Sequence, residues 1–259
     1  MVDPEMEELY VIDGQGRILI YTSDLFPLYT LDRKHGIEAA QGFAMDSRRN
    51  LYVTQAESKD SPKAKISVFD SCLRWSHDIY IENVSGFESF VPYRLAIDKK
   101  GIIYVVARNY PGVLALDNSG FIIDKIFPEE DGRHVKITDV TLDKTGKIYL
   151  LSEDEGRIYI YDQNRKLLLA FGEKGGSSGK LSRPKAVSID EHRGFIYVAD
   201  YMRHTVSVYD STGSYIFEFG GLGWNPGWFQ HPIDITVDDA GRILVADFFN
   251  QRIQLFRIR

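Results

Sequence analysis

Six histidines, one cysteine and a scatter of carboxylates are the groups in this 259-residue chain that carry the chemistry for metal binding or covalent catalysis. Their spacing favours neither. Cys72 is alone, so the chain has no internal disulfide, no cysteine zinc knuckle and no C-x-x-C-H haem attachment. It follows Asp70 and Ser71 in a turn, with only His77 nearby, whereas a reactive thiolate needs a positioned base and an orienting group. No G-x-S-x-G elbow is present. The run from Gly172 to Gly179 is glycine-rich, but it lacks the G-K-[ST] ending of a phosphate cradle and follows an extended stretch, so it reads as a loop. His35, His77, His192 and His204 fall in loops and turns, as isolated surface histidines do. Asn83-Val84-Ser85 is a glycosylation sequon of the kind that arises by chance in a chain of this size.

Composition narrows the class. With 44% hydrophobic and 26% charged residues the chain is built to fold around a core. Its 31 basic and 37 acidic side chains leave a net charge of −6, which argues against a nucleic-acid or anionic-membrane binder, since both need surplus Lys and Arg. No apolar run approaches the roughly 18 to 20 residues that cross a bilayer.

The elements that must position any site come from an internal repeat. Leu9–Asp13, Leu51–Gln55, Ile103–Ala107, Ile148–Ser152, Ile196–Asp200 and Ile243–Asp247 are versions of one β-branched and aromatic string, suited to a short buried strand. Upstream of each stands an Asp (Asp3, Asp46, Asp98, Asp143, Asp190 and Asp238), followed in most copies by a tight turn such as Lys99-Lys100-Gly101. Downstream lie a third apolar strand, as in residues 206–210, and a fourth, as in residues 215–220. Four short strands joined by hairpins and repeated six times predict an all-β fold, a six-bladed β-propeller of four-stranded antiparallel blades. A linear solenoid of such sheets is the alternative, but radial closure better protects the strand edges. The blades are expected at about 1–37, 38–85, 86–132, 133–178, 179–226 and 227–259, as one domain without a linker. Asp3 precedes Asp13 by the interval that separates Asp190 from Asp200, so Met1 and Val2 are expected to be the tail of an innermost strand. The sixth copy has no fourth strand. The first and last blades are therefore expected to be incomplete, with an upstream stretch of about 15 to 20 residues in a parent protein supplying both strands.

Residues 183–220 and 231–256 give the fullest copies: a Pro, an apolar strand ending in Asp, a Gly turn, the strands IYVAD or ILVAD, then an apolar strand. They resemble NHL repeats. In the second and third copies Gln55 and Ala107 replace the strand-end Asp and the following loops differ. The resemblance implies a six-bladed propeller, and functions that include protein scaffolds, RNA-binding platforms and, in one branch, zinc-dependent lyases. In that branch histidines at the channel mouth hold the metal. The corresponding column here reads Ala39, Val91, Lys136, Arg183 and His231, with His134 near the fourth copy. One histidine and two cations do not make a three-ligand zinc site, so no metal or other cofactor is assigned. Lys136, Arg183 and His231 are expected to favour an anionic small ligand at the mouth. Lys185, Arg203 and His204 add basic character to the same side, but the acidic excess and the lack of a dense basic run argue against RNA. Resemblance to bacterial extracytoplasmic NHL proteins points to the periplasm or the cell exterior.

Topology assigns the faces. Short turns of Asp, Gly, Lys and Ser join first to second and third to fourth strands, whereas the second-to-third loops and the crossovers between blades are longer and aromatic. The expected binding face is Trp224, Trp228, Phe229, Tyr201, Phe248, Phe249 and Tyr110, because exposed Trp and Tyr are the residues most enriched at binding hot spots. The function expected is a non-enzymatic binding or scaffold propeller, recruiting a protein or a small ligand through that face, with no catalytic residue. The rival is a lyase or hydrolase with its site at the channel mouth, which a stoichiometric divalent ion on His231 would favour.

Overall fold

The computed structural model describes residues 1–3, 5–59, 61–82, 84, 87 and 89–258. Asn83 and Ser85 of the sequon, and Arg259, lie outside them. The fold is an all-β, six-bladed β-propeller. Its chain divides into two compact units, Met1–Phe127 and Pro128–Arg259, with three blades in each.

In the first unit, blade 1 joins β1 (Leu9–Ile12), β2 (Ile18–Tyr21) and β3 (Pro27–Leu31), with Val2 bridging Leu9 where an innermost strand would lie. A 3-10 turn, Arg33–His35, leads into blade 2: β4 (Ala40–Met45), β5 (Leu51–Gln55), β6 (Lys65–Phe69) and β7 (Trp75–Ile79). Blade 3 is β8 (Pro92–Ile97), β9 (Ile103–Ala107), β10 (Val113–Leu116) and β11 (Ile122–Ile126). The second unit opens with a hairpin that the repeat pattern does not contain, β12 (Glu129–Glu130) and β13 (Arg133–His134). Its turn is Asp131-Gly132, both at positive φ (51° and 74°), the conformation a two-residue hairpin needs. Blade 4 follows as β14 (Asp139–Leu142), β15 (Ile148–Ser152), β16 (Arg157–Tyr161) and β17 (Leu167–Phe171). Blade 5 is β18 (Pro184–Asp190), β19 (Phe195–Asp200), β20 (Thr205–Asp210) and β21 (Tyr215–Gly220). Blade 6 has three strands among the described residues, β22 (Pro232–Val237), β23 (Arg242–Asp247) and β24 (Arg252–Arg257).

All sheet pairings in the blades are antiparallel, and the tight turns share one device. An Asp after the strand accepts backbone N–H bonds from two and four residues on: Asp98 from Lys100 and Ile102, Asp143 from Thr145 and Lys147, Asp210 from Thr212 and Ser214. Second strands are buried on both faces, which explains their unbroken apolar runs. Adjacent blades share their cores. Tyr52, Ile66 and Val68 pack with Leu95, Val105 and Leu114, and Tyr197, Ala199 and Val206 pack with Phe229, Ile235 and Val245. Polar links also cross seams between blades: the buried Asp3 carboxylate pairs with Arg49 at 2.5 Å, Thr54 Oγ1 donates to the Tyr93 carbonyl, and Asp139 accepts from Val187 N. Each satisfies groups that the close approach of two innermost strands removes from water.

Candidate binding face

Two crossovers in the second unit run from an outer strand to the next innermost strand, residues 172–184 and 220–232. They have the same backbone at an offset of 48 residues. Gly175 N donates to Leu181 O and Gly223 N to Phe229 O, each at 3.0 Å. Leu181 N donates to Glu173 O at 2.9 Å and Phe229 N to Gly221 O at 2.8 Å. Lys180 N donates to Ser177 O and Trp228 N to Asn225 O, again at 3.0 Å. Both loops begin at a left-handed glycine, Gly172 (φ 98°) and Gly220 (φ 103°). A Cβ there would meet Gly156 O at 2.6 Å in the first and the Phe229 ring at 2.5 Å in the second.

The side chains differ on this common frame. Leu181 and Phe229 are the matching anchors, both fully buried. Phe229 packs between Phe219 and Phe256 and does not lie on the surface. At the outer positions the first loop has Gly176 and Lys180, and the second has Trp224 and Trp228. Trp224 is 71% exposed and Trp228 48% exposed. The Trp228 ring lies over Gly221 and Gly223, as the Lys180 stem lies over Gly175. A frame that closes with Gly and Lys does not need two tryptophans to close.

The loop after β23 abuts this crossover: Asn250 Nδ2 donates to Gly223 O at 3.0 Å and Phe249 N to Gln230 O at 3.1 Å. Its Phe248 and Phe249 are half exposed and meet edge-on. Phe249 in turn packs on His231, whose ring stacks 4.2 Å from Tyr201 and 4.4 Å from His204. Five of the seven expected face residues (Trp224, Trp228, Tyr201, Phe248 and Phe249) thus lie on adjoining loops of blades 5 and 6. Tyr110 does not join them. It is buried in the first unit among Phe87, Phe90 and Phe127, apolar neighbours from the segments that enter and leave its blade.

The strand-end acids hold these loops. Asp200 is fully buried and accepts from the backbone N–H groups of Ser182, Arg183, Met202 and Arg203. Asp247 accepts from Gln230 N, Asn250 Nδ2, Arg252 Nε and Gln254 Nε2. Arg252 also donates to the carbonyls of Asn225 and Trp228, so one ion pair fixes the Trp-bearing crossover. Where the repeat lacks the Asp, other groups take over. Gln55 Oε1 accepts from Glu38 N, and Asn109 Oδ1 accepts from Val91 N.

At the expected mouth two neighbouring cations share one acid. Arg183 Nε and Lys185 Nζ both donate to the half-buried Glu153 carboxylate, the lysine at 2.6 Å. Burial pushes the Glu153 carboxyl up, but these two bonds outweigh it and hold the group below its usual range. Lys136 is exposed on the approach to β14. Glu153, an acid in the loop after β15, thus stands beside Arg183, one of the three residues expected at the mouth. Arg203 is likewise taken up by Glu218 and Gly176 O.

His204 is not an isolated surface histidine. Its Nδ1 accepts from His231 N at 3.1 Å, and burial, then the neighbouring His231 charge, holds its pKa below the ordinary value. His231 Nδ1 donates to Tyr201 O at 3.1 Å, and His134 pairs with Glu129 in its own hairpin. Among the described residues, no group of three or more His, Cys, Asp or Glu is arranged to hold a metal. No helix among them is long and apolar enough to cross a membrane.

Comparison with known proteins follows from this geometry. Residues 229–256 match the family model "NHL repeat". The protein brain tumor of Drosophila melanogaster is 27% identical over 127 residues, which is 49% of this chain and 12% of that protein's length. An auxiliary nutrient binding protein from Bacteroides ovatus superposes with a TM-score of 0.73 at 17% identity, covering 98% of this chain and 67% of its own. Virginiamycin B lyase from Staphylococcus aureus superposes at 0.63 and 12% identity, covering 100% and 83%. Residues 229–256 thus match the NHL repeat, and the chain as a whole has the fold of a six-bladed β-propeller.

Proposed function

We propose that this protein is a non-enzymatic binding or scaffold propeller whose recognition surface is the aromatic face of blades 5 and 6, with a protein as the partner. The observation that carries this reading is the pair of superposable crossovers. One closes with Gly176 and Lys180, and the other exposes Trp224 and Trp228 at the same backbone positions. Exposed indoles on a frame that does not require them are the features that bind, because Trp contributes large area at low entropic cost. Phe248, Phe249 and Tyr201 extend the surface, and the Asp247–Arg252 pair holds it rigid, which lowers the ordering cost of association. Similarity to a protein described as nutrient-binding supports a binding role.

The test uses the wild-type chain and a variant carrying Trp224→Gly and Trp228→Lys, which copies the sibling crossover, as baits in extract of the native host. Proteins retained by the wild type and lost by the variant are the partners, and their affinity for each single variant should fall by about 1 to 2 kcal/mol or more. Partners captured equally by both baits would place recognition elsewhere.

A further inference from the structure

In the first unit, blades 1 and 2 flank a cleft of about 550 Å³ lined by Tyr29, His35, Lys65, Arg74, Trp75 and Asp78, among others. It shares no residue with the aromatic face and does not depend on the reading above. Tyr29 sits on β3, Asp32 ends that strand and caps the 3-10 turn, and His35 closes the turn. His35 Nδ1 is 2.9 Å from Asp32 Oδ1, and His35 Nε2 is 2.8 Å from Tyr29 Oη. The Asp32 N–H also points at Nδ1, at 3.3 Å, but the carboxylate is the shorter contact and only accepts, so Nδ1 donates to it and carries the ring proton. The neutral ring then keeps its lone pair on Nε2, and the Tyr29 hydroxyl donates to it. The Asp32 carboxylate is itself held by Lys34 N at 2.9 Å. Phenol, imidazole and carboxylate thus form one relay with the order of nucleophile, base and orienting group.

The walls suit an aromatic electrophile. Trp75 is more than half exposed and is anchored by its Nε1–H, which donates to Asp78 at 3.1 Å. Asp78 also pairs with Lys65 at 2.8 Å, so those two charges offset each other. Lys34 and Arg74 border the cleft as cations, Arg74 with Asp70 at 3.3 Å. Tyr29 is 45% exposed and open to a ligand.

We propose that Tyr29 is an acyl acceptor for aryl esters, with His35 taking its proton and Asp32 acting as the positioning residue for His35. Tyr29 Oη bonds to the acyl carbon as its proton passes to His35 Nε2. The bond from that carbon to the aryloxide breaks, and the aryloxide leaves with the proton from Nε2. The products are O-acyl-Tyr29 and a phenol. Trp75 offers a face for the aryl group, and Lys34 and Arg74 oppose the negative charge that develops.

The experiment treats the full chain, in a Cys72→Ser background that removes the thiol lining the same cleft, with p-nitrophenyl acetate. Phenolate release and peptide mapping by mass spectrometry are followed together. Tyr29 should acquire one acetyl group about 100-fold faster than the exposed reference residues Tyr80 and Tyr215, the scale of a positioned general base. Tyr29→Phe should abolish the fast phase, and His35→Gln should reduce Tyr29 to the reference rate. Asp32→Asn should slow acylation about tenfold and displace its pH profile, with Asp32→Glu restoring both. Labelling of Tyr29 no faster than Tyr80 and Tyr215 in the otherwise unsubstituted protein would overturn the proposal, even if the His35 variant failed to fold. So would fast labelling indifferent to His35→Gln in a variant of unchanged melting temperature.

Discussion

Trp228 and Phe229 are neighbours in sequence, yet their replacement should have opposite consequences. Phe229 is fully buried against Phe219 and Phe256, so Phe229→Ala removes the ring and leaves a cavity, at a cost of about 3 to 5 kcal/mol. Trp228 is 48% exposed. A tryptophan has up to roughly 250 Å² to bury, so about half of that at ~25 cal/mol per Å² gives an upper figure near 3 kcal/mol for the packed part of the ring. In Trp228→Lys the lysine stem can lie over Gly223 as Lys180 lies over Gly175, and this returns part of the loss. The net cost should be about 1 to 2 kcal/mol. Urea denaturation of both variants, read as midpoint at constant slope, measures the two costs. Partner retention measures the other side: Trp228→Lys should lose it while remaining folded. If Trp228→Lys destabilises the protein as much as Phe229→Ala, the indole is a structural plug, and the inference drawn from the two matching crossovers fails.

Three further outcomes follow from the same region. Glu153→Gln frees Arg183 and Lys185 of their shared carboxylate, so titration calorimetry should detect sulfate binding that the wild type lacks. Because the folded Glu153 pKa is lowered, its contribution to stability is intact above about pH 4.5 and lost as pH falls through the lowered value, a loss absent in the variant. His204 likewise has a folded pKa below its ordinary 6.5, so its contribution is complete above that pH and disappears as the pH falls through the folded value. His204→Gln, which copies the left-handed Gln251 of the next blade, should flatten the decline in melting temperature between about pH 7 and pH 5; an unchanged slope would show that His204 is not its source. Gly220→Ala should cost about 1 to 3 kcal/mol, since it strains a φ of 103° and drives a Cβ into the Phe229 ring; an unchanged denaturation midpoint would contradict the close approach seen there.

The blade pattern was legible because a strand buried on both faces must be apolar along its length, and Ile103–Ala107 and Ile196–Asp200 repeat that demand in every copy. The Asp turns were legible for a similarly local reason, as at Asp98, Asp143 and Asp210. The β12–β13 hairpin has a local signal outside the repeat, the dipeptide Asp131-Gly132 between short polar runs. Aromatic content pointed to the right loops but not to which rings face outward. In the run from Trp224 to Phe229, burial is decided by a parallel bridge between Leu222 and Phe229 that turns the last ring inward and leaves the indoles outside.

Tertiary structure alone decided the electrostatics. Glu153 lies 30 residues before Arg183, and only the stacking of blade 4 on blade 5 brings the acid to the cation. Tyr29, Asp32 and His35 are close in sequence, yet their relay depends on a turn whose 3-10 geometry folds His35 back over the strand it follows. Local sequence determined strands, turns and period, because backbone hydrogen bonding and burial act residue by residue. Which charges meet, and which rings stay wet, was decided between blades, because both depend on distances that no spacing along the chain encodes.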